Sequence, residues 1–164
     1  MKISVIIPTL NEESHIEKTL QSVTKQDGDY EFSVVDGGST DKTITIAKKY
    51  TTVMNSRRGR AIQMNTGAKA CSGDILLFLH ADTILPDNAF REIRKRMKDD
   101  TLAGGSFYIA FDADTFILRG VSFITRFNFR LFHFGDQGIF VRRSIFQILN
   151  GYKEMPIMED YDFY

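Results

Sequence analysis

The sequence contains a single cysteine, Cys71, and no excess charge of either sign. One cysteine rules out an internal disulfide and fits a reducing compartment, where a partly buried thiol is an inert packing group rather than a nucleophile. The 21 basic and 21 acidic side chains cancel, so the net charge gives no reason to expect binding to nucleic acid. We therefore expect no nucleic-acid partner.

The sequence also lacks a secretory leader and an uninterrupted apolar run long enough to cross a membrane. Met1 and Lys2 lead directly into the short apolar stretch 3–7, which no small-residue cleavage site follows. Residues 117–134 are helix-like and apolar, but three arginines interrupt them. We expect a cytoplasmic protein without a transmembrane span.

Phenylalanine is concentrated in one region of the chain. Eight of the fourteen phenylalanines lie between Phe107 and Phe134, which indicates an amphipathic packing element rather than an ordinary loop. A helix that covers the sheet, a peripheral membrane contact and a subunit contact in a homo-oligomer all fit this composition. The sequence leaves these three alternatives open.

Three signatures of other α/β proteins are absent as well. There is no G-x-x-x-x-G-K-[ST] and no G-x-G-x-x-G, which argues against a P-loop and against a dinucleotide-binding fold. There is no G-x-S-x-G, which weakens a hydrolase interpretation. Any ligand site is therefore expected to be built from other residues.

What the sequence does contain is an alternation of short apolar runs with amphipathic segments. The predicted strands cover residues 3–7, 32–35, 51–55 and 75–79, and helices follow them, the first with its cap at Asn11. This alternation predicts an α/β fold with a mostly parallel central sheet, helices on both faces and right-handed crossovers. The length predicts a single domain over residues 1–164, and the missing helix terminator at 159–164 leads us to expect a truncated C-terminus.

The run Ile75–Leu79 is the candidate central strand. A bulky apolar run this short, followed by His80, Ala81 and Asp82, is typical of a strand buried on both faces. Its carboxyl end would place His80 and Asp82 in the crevice where open α/β sheets bind ligands. Asp82 either caps a turn or binds a divalent cation, since Mg²⁺ takes one or two protein carboxylates and completes its coordination with phosphate oxygens and water.

Carboxylates follow several of the apolar runs. Glu12 comes after the first predicted strand, Asp36 after the second and Asp82 after the fourth. Glu159 and Asp160 follow a further apolar run at residues 155–158. Because the carboxyl ends of parallel strands meet at one edge of a sheet, we expect these acids to line a single cleft.

An acidic cleft needs cations if it is to hold a phosphorylated ligand. Arg57, Arg58 and Arg60 precede or begin a predicted helix, whose N-terminus adds backbone donors and partial positive charge. Together with a metal at Asp82 they suggest a nucleoside diphosphate ligand. Its base and ribose would lie near Asp36, and its pyrophosphate near the metal and the arginines.

Several ordered motifs resemble those of the family 2 glycosyltransferases with a GT-A fold. They lie at residues 4–13, 34–41, 74–82 and 159–160. The Gly-Arg-Ala-x-Gln-x-Asn-x-Gly pattern at 59–67, His-Ala-Asp at 80–82 and Gly-Asp-Gln-Gly at 135–138 resemble more narrowly the branch of radical-SAM/selenodomain-associated transferases. The similarity covers nearly the whole chain, and the ordered motifs together are more specific than any one of them.

The resemblance implies inverting transfer of a sugar from a nucleotide donor to the hydroxyl of a small-molecule, lipid or glycan acceptor, assisted by Mg²⁺ or Mn²⁺. The residues implied or suggested for donor binding are Pro8, Thr9, Glu12, Asp36, Arg58, Arg60 and His80. Asp82 would bind the metal, and Asp160 would be the general base that deprotonates the acceptor. One base suffices for a direct displacement, whereas a retaining double displacement would also need a nucleophile.

The chain departs from the family pattern at two positions. Gly37 replaces the second acid of the common Asp-Asp-Gly-Ser motif, and His80 replaces the first acid of Asp-x-Asp. His80 either donates a hydrogen bond to a ribose or phosphate oxygen, which we favour, or ligates the metal as neutral imidazole.

Two other functions stay open at this point. Nucleotidyl transfer to a sugar phosphate fits a related α/β sheet, although the loop after the first strand lacks a glycine-rich, basic pattern that would cradle a triphosphate. A non-catalytic nucleotide-binding or scaffold domain fits the abrupt end at Tyr164.

Overall fold

The computed structural model describes residues 1–107 and 138–153. Its strands are β1 (Ile3–Thr9), β2 (Tyr30–Asp36), β3 (Val53–Asn55), β4 (Ile75–Phe78), β5 (Gly104–Ser106) and β6 (Ile139–Arg142). Its helices are α1 (Ile16–Thr24), α2 (Thr43–Ala47), α3 (Arg60–Ala70), α4 (Ala89–Arg96) and α5 (Arg143–Ile148). The predictions for the phenylalanine-rich region and for Asp160 lie outside the described residues.

The strands form one mixed sheet in the order β3-β2-β1-β4-β6-β5. β3, β2, β1 and β4 are mutually parallel, and β6 runs antiparallel to both β4 and β5. The predicted, mostly parallel sheet is therefore confirmed, with one reversed strand among those described. β1 and β4 occupy the middle of the sheet.

Side chains alternate between two hydrophobic clusters, one on each face of the sheet. From β4, Ile75 and Leu77 pack with α1 and α4 on one face, while Leu76 and Phe78 pack with α3 and α5 on the other. All four side chains are 2% exposed or less. This double burial explains the continuous apolar run in the sequence, because neither face of β4 meets solvent.

Helix α3 packs unusually close to the sheet. A Cβ atom added to Gly67 would overlap the side chain of Ile6 on β1 and would lie 3.1 Å from Val35 on β2. Only glycine permits this approach, so the small residues of α3 serve helix-to-sheet packing.

Helix α1 begins later than the sequence predicts. The residue before it is His15, whose side chain makes no capping hydrogen bond. Asn11, the predicted cap, has φ +55° and accepts a hydrogen bond from the backbone of Thr40 at 2.8 Å. The predicted cap is wrong because the Asn11 side chain is used to join two loops. Across the described ranges, every helix is too short or too polar to cross a membrane.

Candidate active site

The carboxyl ends of β1, β2 and β4 lie side by side and form an edge that we call the carboxyl rim, comprising Thr9, Asp36 and residues 79–82. The register pairs Thr9 with Asp36 directly. Beyond the β1–β4 ladder, Leu79 donates its backbone N–H to Ile6 at 3.0 Å and so keeps the chain beside β1. Residues from three predicted site motifs are thereby neighbours at one rim, as expected for a parallel sheet.

Asp36 is buried at the rim, with 2% of its surface exposed. One carboxylate oxygen accepts the backbone N–H groups of Gly38 and Ser39 at 2.8 and 2.9 Å. The other accepts the hydroxyl of Ser39 and, at 3.5 Å, that of Thr9. The side chain therefore fixes the turn after β2, and a bond to a ligand at Asp36 requires one of these partners to move.

The loops after β1 and β2 are joined by hydrogen bonds between backbone N–H groups and polar side chains. The contacts run from Asn11 N to Ser39 Oγ (2.9 Å), Glu12 N to Thr43 Oγ1 (2.7 Å), Glu13 N to Asp41 Oδ2 (3.1 Å) and Lys42 N to Glu13 Oε2 (2.9 Å). Partial burial acts to raise the pKa of Asp41, but hydrogen bonds from Thr43 and Glu13 outweigh it, so the pKa is lowered. The two loops form one pre-organised surface beside the rim.

Glu12 lies on this surface with a half-buried side chain. Its carboxylate contacts Nδ1 of His15 at 3.3 Å, one turn further along the chain. Pro8 is part of β1, where it pairs with Val35 and is half-buried. The chain therefore passes from β1, which contains Pro8 and Thr9, to the surface formed by the two loops, where Glu12 lies.

Gly37 and Gln63 explain the departure from the Asp-Asp-Gly-Ser pattern. The buried Gln63 side chain donates from Nε2 to the carbonyls of Thr9 and Val35, both at 2.8 Å. A Cβ atom on Gly37 would lie 3.0 Å from the Gln63 oxygen. Since the amide is held by two bonds, a side chain at position 37 would crowd it and would have to displace it by a few tenths of an ångström.

Gln63 belongs to the 59–67 pattern, but nothing in the sequence assigns it a role. The same holds for Asn65, whose side chain donates to the carbonyl of Tyr152 at 2.8 Å and accepts its N–H at 2.9 Å. The one feature of the sequence that could have drawn attention to them is that two amide side chains lie two residues apart among small residues. Their partners are distant in sequence, so only the structure identifies them.

The arginines lie at the N-terminus of α3. Gly59, with φ +140°, forms the bend into the helix, and Arg57, Arg58 and Arg60 are all exposed. Within the described residues the guanidinium groups of Arg58 and Arg60 have no hydrogen-bond or ion-pair partner. They are available to an anionic ligand.

His80 and Asp82 lie in a turn directly after β4. The backbone N–H of Thr83 donates to the carbonyl of His80 at 3.1 Å and closes the turn. His80 is half-buried, Ala81 is buried and Asp82 is exposed. Among the described residues the Asp82 carboxylate has no hydrogen-bond or ion-pair partner.

The side chains of His80 and Asp82 suit a metal ion that a bound ligand also coordinates. In the described part of the chain, no three His, Cys, Asp or Glu side chains are grouped to hold an ion by themselves. A single exposed carboxylate, with an imidazole two residues away, fits Mg²⁺ or Mn²⁺ whose remaining positions are filled by phosphate oxygens and water. The residues present are therefore compatible with a divalent ion that Asp82 would hold.

A separate cavity of about 560 Å³ lies between α3 and α5. Its lining includes Asn65, Lys69, Arg143 and Tyr152, but none of the residues predicted to bind donor or metal. This cavity is thus distinct from the carboxyl rim.

The mixed sheet covered by helices on both faces, with its candidate site at the carboxyl rim, defines the GT-A fold. The chain belongs to glycosyl transferase family 2, whose model matches residues 4–150. The fold and the family predicted from the sequence are both confirmed.

The chain is similar to a curated relative and to solved structures. A PGL/p-HBAD biosynthesis glycosyltransferase of Mycobacterium bovis is 31% identical over 182 aligned residues, covering 98% of this chain and 67% of the relative. The mannosyltransferase PcManGT of Pyrobaculum calidifontis, solved with GDP-Man and Mn²⁺, is 25% identical with a TM-score of 0.72, covering 93% of this chain and 47% of that one.

Staphylococcus aureus TarS 1-349, solved with UDP-GlcNAc, shares the fold at 22% identity and a TM-score of 0.73. The match covers 98% of this chain and 51% of TarS 1-349. The chain therefore spans about half the length of these structural neighbours.

Proposed function

We propose that the protein transfers a sugar from a nucleoside-diphosphate donor to an acceptor hydroxyl, with inversion at the anomeric carbon. The observation that carries this proposal is the carboxyl rim, where the ends of three adjacent strands lie side by side and Gln63 of α3 donates to the carbonyl of Thr9. Arg58 and Arg60, which no described residue pairs, lie at the N-terminus of the same helix. Family membership supports it, as do the UDP-GlcNAc and GDP-Man complexes of the structural neighbours.

The donor nucleotide would bind along the loops after β1 and β2. Pro8, Thr9 and Glu12 would line its base and ribose, and Asp36 would accept a hydrogen bond from the base once Ser39 or Thr9 releases an oxygen lone pair. Because Gly37 offers no side chain, the ribose would rely on other partners. His80 is our candidate for that hydrogen bond.

The diphosphate would lie between Asp82 and the N-terminus of α3. Arg58 and Arg60 would contact phosphate oxygens, and the helix N-terminus adds partial positive charge. Asp82 would hold Mg²⁺ or Mn²⁺, which when bound neutralises the charge that develops on the leaving diphosphate.

The acceptor hydroxyl would be deprotonated by Asp160, which lies outside the described residues. A single base is consistent with direct displacement, since no second carboxylate is needed as a nucleophile. The acceptor would be a small molecule, lipid or glycan. The narrower assignment to the radical-SAM/selenodomain-associated branch stays a prediction, supported by the structural roles of Gln63 and Asn65 in its motif.

The proposal is tested by a thermal-shift screen of UDP-, GDP- and ADP-sugars with and without Mn²⁺. A nucleotide at one hundred times its Kd stabilises a protein by about 2.7 kcal/mol, which for a chain of this size raises the melting temperature by roughly 5 to 10 °C. We expect one nucleotide class to give such a shift with Mn²⁺.

Turnover is tested separately with the variant Asp160→Asn. The transferase proposal predicts that donor binding survives while sugar transfer collapses. A folded protein that no nucleotide sugar stabilises, with or without Mn²⁺, would contradict the proposed function.

A further inference from the structure

Helix α1 and the two residues that follow it present three polar side chains to the interior. Thr19, Ser22 and Gln26, which we call the polar stripe, are 0%, 6% and 5% exposed. Buried polar groups are costly unless they are hydrogen-bonded, so such a stripe on the apolar side of a helix needs partners. Leu20 and Val23 of α1 are also buried, so hydrophobic packing alone does not account for polar side chains at these positions.

Every long-range partner of the polar stripe lies in the segment after β4. Thr19 Oγ1 donates to the carbonyl of Ala81 at 2.7 Å. Ser22 Oγ accepts the N–H of Leu85 at 3.0 Å. Gln26 donates to the carbonyl of Pro86 at 2.8 Å and accepts the N–H of Phe90 at 3.2 Å.

The partners are backbone groups, so the polar stripe fixes the path of this segment rather than its side chains. Residues 80–88 lie outside regular secondary structure, so no strand ladder or helix satisfies their backbone groups. The stripe supplies the missing bonds from a rigid helix. The segment that leaves the sheet at His80 is thereby held at three points along its length.

Thr19 makes the contact nearest to the candidate metal carboxylate. Its partner, the carbonyl of Ala81, belongs to the peptide that joins Ala81 to Asp82. The Asp82 side chain points outward from this buried anchor, because Ala81 is 4% exposed whereas Asp82 is exposed. A change at Thr19 therefore acts on the backbone that carries Asp82 without touching the ligand.

We propose that Thr19 is a positioning residue for Asp82, and that it acts by fixing the Ala81–Asp82 peptide at the carboxyl rim. This inference rests on the proposed function, since it concerns the metal that Asp82 would hold. Metal affinity depends on groups that orient the ligands, and their loss typically weakens it by roughly 10- to 100-fold. Ser22, whose bond lies further along the segment at Leu85, has no such effect.

The test is a titration of the protein with Mn²⁺ at a fixed, saturating concentration of UDP or GDP, whichever stabilises the wild type. The apparent Kd for Mn²⁺ is measured from the melting temperature and from the electron paramagnetic resonance signal of free Mn²⁺. Thr19→Val removes the hydroxyl and keeps the shape. Ser22→Ala is the matched control, because it also removes a buried hydroxyl from the same helix face.

We expect Thr19→Val to weaken Mn²⁺ binding by roughly 10-fold or more relative to the wild type. Thr19→Ser, which keeps the hydroxyl, should bind Mn²⁺ as the wild type does. Ser22→Ala should lower the stability of the protein without changing its affinity for Mn²⁺. If the valine variant does not fold, Thr19→Ala is measured in its place. Equal Mn²⁺ affinities in the Thr19 and Ser22 variants, with a responsive wild type, would overturn this inference and leave the proposed function intact. A wild type whose nucleotide binding does not respond to Mn²⁺ would overturn the metal proposal and this inference together.

Discussion

Glu31 and Asp82, which lie at opposite rims of the sheet, are held in different ways. At the amino ends of β1, β2 and β4, which we call the amino rim, Glu31 accepts hydrogen bonds from Lys2, Ser4 and Ser72 at 2.6 to 3.2 Å. At the carboxyl rim, Asp82 has no such partner among the described residues, and neither do Arg58 and Arg60 at the N-terminus of α3. Charge that is satisfied internally stabilises the fold, and charge left exposed is available to a ligand.

Arg94 closes the amino rim further. From α4 it donates to the carbonyls of Met1, Asp27 and Asp29 at 3.1, 2.8 and 2.7 Å. A guanidinium group that ties three backbone carbonyls together is a structural group, unlike Arg58 and Arg60 at the other rim. The comparison predicts that variants at the two rims affect different measurements.

The largest stability effect is expected at Gln63, the buried group beneath the carboxyl rim. Gln63→Leu removes both bonds to the carbonyls of Thr9 and Val35, and the loss of a buried hydrogen-bonded group costs about 1–3 kcal/mol. Urea unfolding measures this loss. The control is Gln147→Leu, because Gln147 is an exposed glutamine on α5. Equal losses of stability in the two variants would contradict the structural role of Gln63.

A smaller loss is expected when the charge of the amino rim is removed. Glu31→Gln keeps the shape but weakens the bonds to Lys2 and Ser72, and because both charged side chains are partly exposed the cost is about 1 kcal/mol or less. Nucleotide and Mn²⁺ binding should be unchanged, since Glu31 lies at the opposite end of the strands. A Glu31→Gln variant that folds normally but loses nucleotide binding would contradict the assignment of Glu31 to a purely structural role.

The same carboxylate predicts a dependence on pH. Burial acts to raise the pKa of Glu31, but hydrogen bonds from Lys2, Ser4 and Ser72 outweigh it and lower the pKa from 4.5 to about 2. A lowered folded-state pKa means that the stability contributed by Glu31 is present above pH 4.5 and is lost as the pH falls toward 2. Melting temperatures between pH 5 and pH 3 should therefore fall less steeply in Glu31→Gln than in the wild type; parallel curves would contradict this.

The smallest effect is expected at Asn11, which joins the two loops of the candidate site. Asn11→Gly keeps the positive φ but loses the bond to Thr40, whereas Asn11→Ala loses the bond and strains the backbone. We expect the alanine variant to be the less stable, by roughly 1 kcal/mol. Chemical denaturation of the pair measures the difference, and equal stability would show that the loop can relax.

The apolar runs in the sequence predicted β1, β2 and β4 well. Strands pair through backbone hydrogen bonds, so a buried apolar run becomes a strand of the sheet whatever the exact sequence of its neighbours. The same signals failed at Asn11, where a residue typical of helix caps bonds instead to a loop distant in sequence. They also gave no role to Gln63 and Thr19, whose partners are backbone carbonyls that any sequence supplies. Asp36 and Asp82 were recognised as candidate site residues, but which oxygens are already occupied depends on tertiary contacts.

The assignment of the metal to the carboxyl rim is tested by comparing Asp82→Asn with Glu31→Gln in one thermal-shift experiment with UDP or GDP, with and without Mn²⁺. We predict that Asp82→Asn folds as stably as the wild type and loses the Mn²⁺-dependent increase in melting temperature, while Glu31→Gln melts earlier and keeps the full increase. An Asp82→Asn variant that keeps the full Mn²⁺-dependent increase would contradict the assignment of the metal to the carboxyl rim.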